Sequence, residues 1–286
     1  MKKIIATMAV AGGILATGSS LAFADSTVKV FPSDMATSFA DVAANPNSWF
    51  FFNDENDTID NSLGSFVVGP DTTPYGDSSV AISVSGSQRR NLATYQFSGT
   101  PLADITELKF STYNPSTGNG GSDQRSAYLN FNVDFDGSDT WQRRLVYVPR
   151  ENGTVVPDSW QEWDAIDGGD AMWSYSGSVW PGTLTPGTTK KSWNDILAEY
   201  PGVRIRETDS WLGLRVGEPY TNGYSENIDG FKFGTATGTA RRRAMRARRS
   251  SPSRAEYRRP CAAGYGPATT SRSEEETAAT AQRFPR

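Results

Sequence analysis

The 286-residue chain contains no histidine. That absence removes the Ser-His-Asp triad, the Cys-His pair and every His-ligated zinc site at once. Its one cysteine is Cys261, close to the C-terminal end. The body of the chain, residues 25–239, therefore has no disulfide available. It must be held by an apolar core even where export would expose it to oxidising conditions. Beyond residue 24 there is no long apolar run, so no membrane span is expected in the mature chain. Carboxylates are the acid–base groups that remain.

The N-terminus is informative. Lys2 and Lys3 precede a mostly apolar stretch from Ile4 to Leu15, and Ala22-Phe23-Ala24 forms an A-x-A cleavage site before Asp25. This pattern predicts a secretory signal peptide over residues 1–24, of bacterial type, and hence a secreted or cell-surface protein. Residues 25–239 are long enough to bury one large core, which fits a single domain. Charge is split along the chain. The body carries 14 Lys and Arg against 28 Asp and Glu, a net of −14, whereas residues 240–286 carry 12 Arg, no Lys and four Glu. An acidic body argues against a nucleic-acid partner for the domain.

What the body does contain is strand-sized segments between turn residues. "SVAISVSG" alternates Val80, Ile82 and Val84 with small polar residues. "TELKFSTYNP" places Leu108 and Phe110 on one face. "AYLNFNVDF" puts Leu129, Phe131, Val133 and Phe135 on one face and Asn130, Asn132 and Asp134 on the other. "TWQRRLVYV" follows the Asp136-Gly137 turn signal and predicts a hairpin. "GVRIRE", "SWLGLRV" and "NIDGFKFG" continue the pattern. The fold class expected is all-β: an antiparallel β-sandwich, a jelly roll, with one short helix and a disordered C-terminal tail. The helix is "SWNDILAEYPG", where Ser192 and Asp195 form a capping box, Trp193, Ile196, Leu197 and Tyr200 form an apolar stripe, and Pro201 ends it. Residues 115–126, "PSTGNGGSDQRS", are expected to be a flexible surface loop.

Candidate sites follow from residue type. Paired carboxylates hydrolyse glycosides, and Glu55, Asp57 and Asp60 occupy an E-x-D-x-x-D spacing. The surrounding asparagines suit a loop better than a strand, and no catalytic residue is assigned. The same stretch offers hard oxygen ligands. Asp54, Asp57 and Asp60, completed by Asp229 beside the last strand and by its neighbour Glu226, could hold a structural calcium ion. The aspartates and glycine of "DFDGSD" are explained by the hairpin turn alone. Aromatics carry the binding expectation, since a Trp or Tyr face with a polar rim suits a sugar ring. All eight Trp lie between Trp49 and Trp211. The densest region supplies Trp160, Trp163, Trp173 and Tyr175. A second candidate patch is Asn130, Asn132, Asp134 and Arg144.

Taken together, "WFFFNDENDTIDNSLGSFVVGP", "RRNLATYQFSGTPLADITELKFSTY", "YLNFNVDFDGSDTWQRRLVYVP", "WQEWDAIDGG" and "SWLGLRVGEPYTNGYSENIDGFKFG" resemble a recurring module of secreted bacterial surface proteins. The resemblance covers roughly residues 28–235 and implies a concanavalin A-like or galactose-binding-like jelly roll. It implies no catalytic residues. The expectation is a non-catalytic binding or adhesion module for extracellular carbohydrate or cell-surface material. The rivals are a carboxylate-dependent glycoside hydrolase or lyase and a structural spacer. An exposed Trp or Tyr on a concave face would distinguish the first from the last. Residues 240–286 depart from the family pattern. A basic arm, a tail with no role and an out-of-frame translation compete there, and the composition, all Arg without Lys and rich in Ala, Pro, Ser and Thr, fits out-of-frame reading best.

Overall fold

The computed structural model describes residues 30–177, 179–182 and 190–236. The signal peptide over 1–24, the boundary at 239 and the arginine-rich segment 240–286 lie outside these residues. Fourteen strands form among the described residues: Trp49–Asn53 (β1), Thr58–Ile59 (β2), Gly64–Val68 (β3), Ser78–Val84 (β4), Arg89–Thr94 (β5), Ile105–Tyr113 (β6), Tyr128–Asp134 (β7), Arg144–Tyr147 (β8), Trp160–Asp164 (β9), Met172–Tyr175 (β10), Lys190–Ser192 (β11), Arg204–Ile205 (β12), Leu212–Gly217 (β13) and Tyr224–Thr235 (β14). Two short α-helices accompany them, Phe39–Ala44 (α1) and Trp193–Glu199 (α2). The larger sheet has the order β11-β10-β8-β7-β13-β5-β1-β2, with β12 also paired to β7. The smaller has the order β3-β4-β14-β6-β9. All strand pairings are antiparallel. The architecture is the all-β sandwich that the alternating pattern predicts.

The core lies between the sheets. Leu129, Phe131 and Val133 of β7 and Leu212, Leu214 and Val216 of β13 meet Ile82, Leu108, Phe110 and Ile228 of the smaller sheet in one buried cluster. Fully burying one such side chain contributes about 1.5–3 kcal/mol. α2 belongs to the same cluster through Trp193 and Ile196, and Trp193 packs 5.4 Å from Trp173, ring centre to ring centre. Its capping box forms as expected: Ser192 Oγ accepts from Asp195 N at 3.1 Å, and Asp195 accepts from Ser192 N. Replacing Ser192 by alanine should cost about 1 kcal/mol in urea unfolding, and a change below a few tenths would show that the cap is dispensable.

The predicted hairpin exists, with Leu129 opposite Tyr147 and Asn132 opposite Arg144, but its connection is the nine-residue stretch 135–143 rather than a tight turn. Residues 115–126 do not form a free surface loop. Asn119 and Arg125 are buried, and Arg125 Nη1 donates to the Gly223 carbonyl at 2.7 Å. The helix α1 is not among the sequence expectations. Ser38 Oγ caps it by accepting from Asp41 N at 3.2 Å, and it buries Val42.

Two features depart from the simple inside–outside alternation. Every residue of β7 and of β13 is buried, because the outer face of the larger sheet is covered as well. There α1 contributes to a second small core of Ala36, Val42, Phe50, Phe52, Ala93 and Trp211. The other departure is Glu226, which lies inside the sandwich at 1% exposure, not at a surface metal site. Its Oε1 accepts from Ser126 Oγ at 3.3 Å, while its Oε2 has no hydrogen-bond partner. Burial pushes this carboxyl well above the ordinary range, and the bonds from Ala127 N, Ser126 and Thr112 oppose that only in part. No helix among the described residues is long and apolar enough to cross a membrane.

A candidate ligand cleft on the outer face of the larger sheet

A cleft of about 940 Å³ opens on the covered side of the larger sheet. The sheet supplies Phe52 from β1, Asn132 from β7 and Arg144 from β8, with Tyr95 and Trp211 just beyond the ends of β5 and β13. The helix α1 and the turn after it contribute Phe39, Val42, Ala43 and Pro46. The β7–β8 connection brings Trp141, and the segment before β13 brings Glu207 and Asp209. Those two stretches are pinned together. Asp139 accepts from Glu207 N at 2.8 Å, and its backbone oxygen accepts from Arg206 Nε at 2.8 Å. Asp139 holds a left-handed backbone at φ 56, which Asp tolerates better than most residues.

The aromatic lining is packed from below. Trp211 sits 5.3 Å from Phe52, and Phe50 stacks on Tyr95 at 5.6 Å. Gly213 makes room for Trp211, since a Cβ there would lie 2.7 Å from the indole ring. Trp141, 51% exposed, and Phe39, 47% exposed, are the open aromatics of the lining. The Tyr95 hydroxyl is pushed up to about 12 by burial and then by the nearby carboxylates of Asp209 and Asp57. It stays protonated, a hydrogen-bond donor, across neutral pH.

Beneath the aromatics lies a buried ionic hub. The Asp54 side chain is 6% exposed, and both Nη atoms of Arg144 bond its carboxylate, at 2.7 and 2.9 Å. Arg215 bonds the same carboxylate, and Arg89 lies 3.9 Å away. Burial raises the Asp54 pKa, but the Arg144 hydrogen bond and the charges of Arg215, Arg144 and Arg89 outweigh it and hold the carboxyl below the usual range. Arg144 directs its Nε to Asn132 Oδ1 at 3.1 Å. Its guanidinium lies 4.7 Å from the Trp211 ring centre and 5.6 Å from that of Trp141. Arg144 thus props the exposed indole and is anchored from behind by the carboxylate that it shares with Arg215.

Of the residues expected to bind ligand, the structure brings Asn132 and Arg144 into this cleft. The densest Trp region does not line it. Trp163 and Trp173 are core residues whose indole N–H groups bond Thr112 Oγ1 and the Ala165 carbonyl, each at 2.8 Å. Trp160 is half-buried on the smaller sheet and donates to the Pro70 carbonyl. Tyr175 packs on Phe135 and donates to the Gln142 carbonyl. Asn130 is buried under the sheet's outer layer, donating to the Gly213 carbonyl, and buried Asp134 pairs with Arg204. The lining residues not anticipated include Phe39, Phe52, Tyr95, Trp141, Glu207, Asp209 and Trp211. Only Trp141, an isolated aromatic in a polar turn, carried a readable signal.

The carboxylates expected to share calcium are engaged separately. Asp54 faces arginines, Asp60 accepts from Ser62 N at 2.9 Å, and Asp229 on the smaller sheet accepts from Tyr75 N at 2.9 Å. Among the described residues no group of three or more carboxylate, histidine or cysteine side chains is placed to hold a metal ion. Glu55, the first carboxylate of the E-x-D-x-x-D stretch, is bonded to Arg90 and to Arg89 N. Asp57 alone of that stretch lines the cleft.

No family model and no curated protein matches the chain. Solved structures resemble it, among them the following three. One comes from work on the promiscuous specificity of carbohydrate-binding modules of the β-sandwich superfamily, with 11% identity and a TM-score of 0.30 over 70% of this chain and 62% of that one. TmCBM61 with β-1,4-galactotriose gives 10% identity and a TM-score of 0.27, covering 70% and 94%. The family 11 carbohydrate-binding module of Clostridium thermocellum, with a β-1,3-1,4-mixed-linked tetrasaccharide, gives 10% and 0.31, covering 66% and 96%. Likeness at this level assigns no ligand and no residue role to this chain.

Proposed function

We propose that this chain is a non-catalytic binding module that takes an extracellular carbohydrate in the cleft beside Trp141. The observation that supports this reading is an indole left 51% exposed in a cleft of about 940 Å³, with Tyr95 and Trp211 beside it. An exposed aromatic face takes the apolar face of a sugar ring, while the Tyr95 hydroxyl and the rim carboxylates meet its hydroxyls. A spacer gives no account of an indole left exposed and propped by a buried guanidinium. The hydrolase reading is weakened because Glu55 and Asp60 are committed to backbone and arginine partners.

The test is a glycan-array screen of the full chain, with and without calcium, followed by titration of any hit. Trp141→Ala should weaken binding tenfold or more, about 1.4 kcal/mol, while leaving the unfolding midpoint within error. An array on which no glycan shows Trp141-dependent binding overturns the proposal.

A further inference from the structure

The charges around the cleft are one-sided. Asp57, Glu207 and Asp209 line it, and all three are exposed. None of them forms an ion pair among the described residues. The one cationic lining residue, Arg144, directs both Nη atoms to Asp54 and its Nε to Asn132. Asp54 is shared with Arg215, so the hub keeps about one positive charge beneath the three carboxylates, and the cleft is acidic on balance. Asp57 and Asp209 come from distant parts of the chain, yet both act on the Tyr95 hydroxyl, so they flank the same part of the cleft.

We propose that the cleft selects sugars bearing a free amine over their neutral counterparts and rejects sugars bearing carboxylates or sulfates. This deepens the carbohydrate reading above and rests on it. An ammonium group beside these carboxylates gains attraction, and the exposed Trp141 ring favours a cation over its face. A uronic acid meets three carboxylates against the single positive charge left on the Arg144–Arg215–Asp54 hub. Exposed pairs are individually weak, so two or three acting together imply a preference of roughly three- to tenfold for the amine. The preference should shrink as salt screens these charges.

The experiment uses an array in which each neutral oligosaccharide is printed beside its 2-amino and its uronic-acid counterpart. Only binding lost in Trp141→Ala is counted, which removes any contribution of the arginine-rich segment 240–286 to the capture of anions. The expected order is amine, then neutral, then acid, with the gap narrowing at high salt. The double variant Asp57→Asn, Asp209→Asn keeps residue types that tolerate the left-handed backbone at φ 53 and φ 46. It should bring the amine and neutral forms within about twofold of each other. If neutral sugars bind and amines gain nothing, or acids bind as well as neutrals, this proposal falls and the carbohydrate reading stands. If no sugar shows Trp141-dependent binding, both fall.

Discussion

Replacing Asp54 by alanine is expected to destabilise the domain by about 3–5 kcal/mol at neutral pH, a large share of a typical domain's stability. The carboxylate is the shared partner of Arg144 and Arg215, whose side chains are only 18% and 9% exposed. Its removal leaves two guanidiniums out of water with no counter-charge and close enough to repel each other. Asn keeps the shape but not the charge, and should fall between the two. Urea unfolding of wild type, Asp54→Asn and Asp54→Ala measures the series, and a loss below about 1 kcal/mol for alanine would remove the hub from the list of stabilising features. The effect has a pH signature. The folded-state pKa is depressed below 3.8, so the contribution is present above that value and is lost as pH falls through the folded pKa. Ligand binding should fail in the same variants, because Arg144 loses the anchor that holds it under Trp141.

Glu226→Gln is expected to work in the opposite direction. The folded protein holds this acid in its neutral form, whereas the unfolded chain releases the proton near the ordinary value of 4.5. Between those two pKa values the unfolded state binds fewer protons. Stability is therefore greatest below the unfolded value and falls by about 1.4 kcal/mol for each pH unit as pH rises through the window. Gln has no proton to lose and keeps an oxygen for Ser126. The variant should match wild type near pH 4.5 and exceed it increasingly as pH rises above that value, read as the unfolding midpoint against pH. An unchanged pH slope in the variant would falsify the assignment of Glu226 as a neutral buried acid.

The sequence made the sandwich legible because period-two alternation survives wherever one strand face meets the core. Leu108 and Phe110, or Leu129 and Phe131, point inward as the pattern required. It also made the second helix legible, because Ser192 and Asp195 bond each other in the pattern a capping box demands. The cleft was mostly hidden for three physical reasons. Asn130, Asn132 and Asp134 alternate as an exposed face would, yet all are buried, since Asn130 bonds Asn91 and the Gly213 carbonyl, Asn132 bonds Arg144 and the Asp209 carbonyl, and Asp134 is held by Arg204 and the β7–β8 connection. The helix α1 carries its own Ser38–Asp41 cap, but six residues are too short for a periodic signal. And the Trp-dense stretch 159–177 serves the core because its indole N–H groups find backbone and hydroxyl partners inside, a matter of pairing between distant segments. Trp141, alone in a polar turn, proved the more informative indole.

The order of the strands has a consequence for how the chain comes to be made. β14 lies in the middle of the smaller sheet, between β4 and β6, although it is the last of the described strands in sequence. β13, the strand before it, joins β5 to β7 in the larger one. During synthesis, β3 with β4 and β6 with β9 exist as separate ribbons, each too small to be stable in water, until residues 212–235 arrive to join them. Nothing of the sandwich can be completed on a growing nascent chain. A product stopped short of β14, the last described strand, would carry open edges on β4 and β6 in place of a closed smaller sheet.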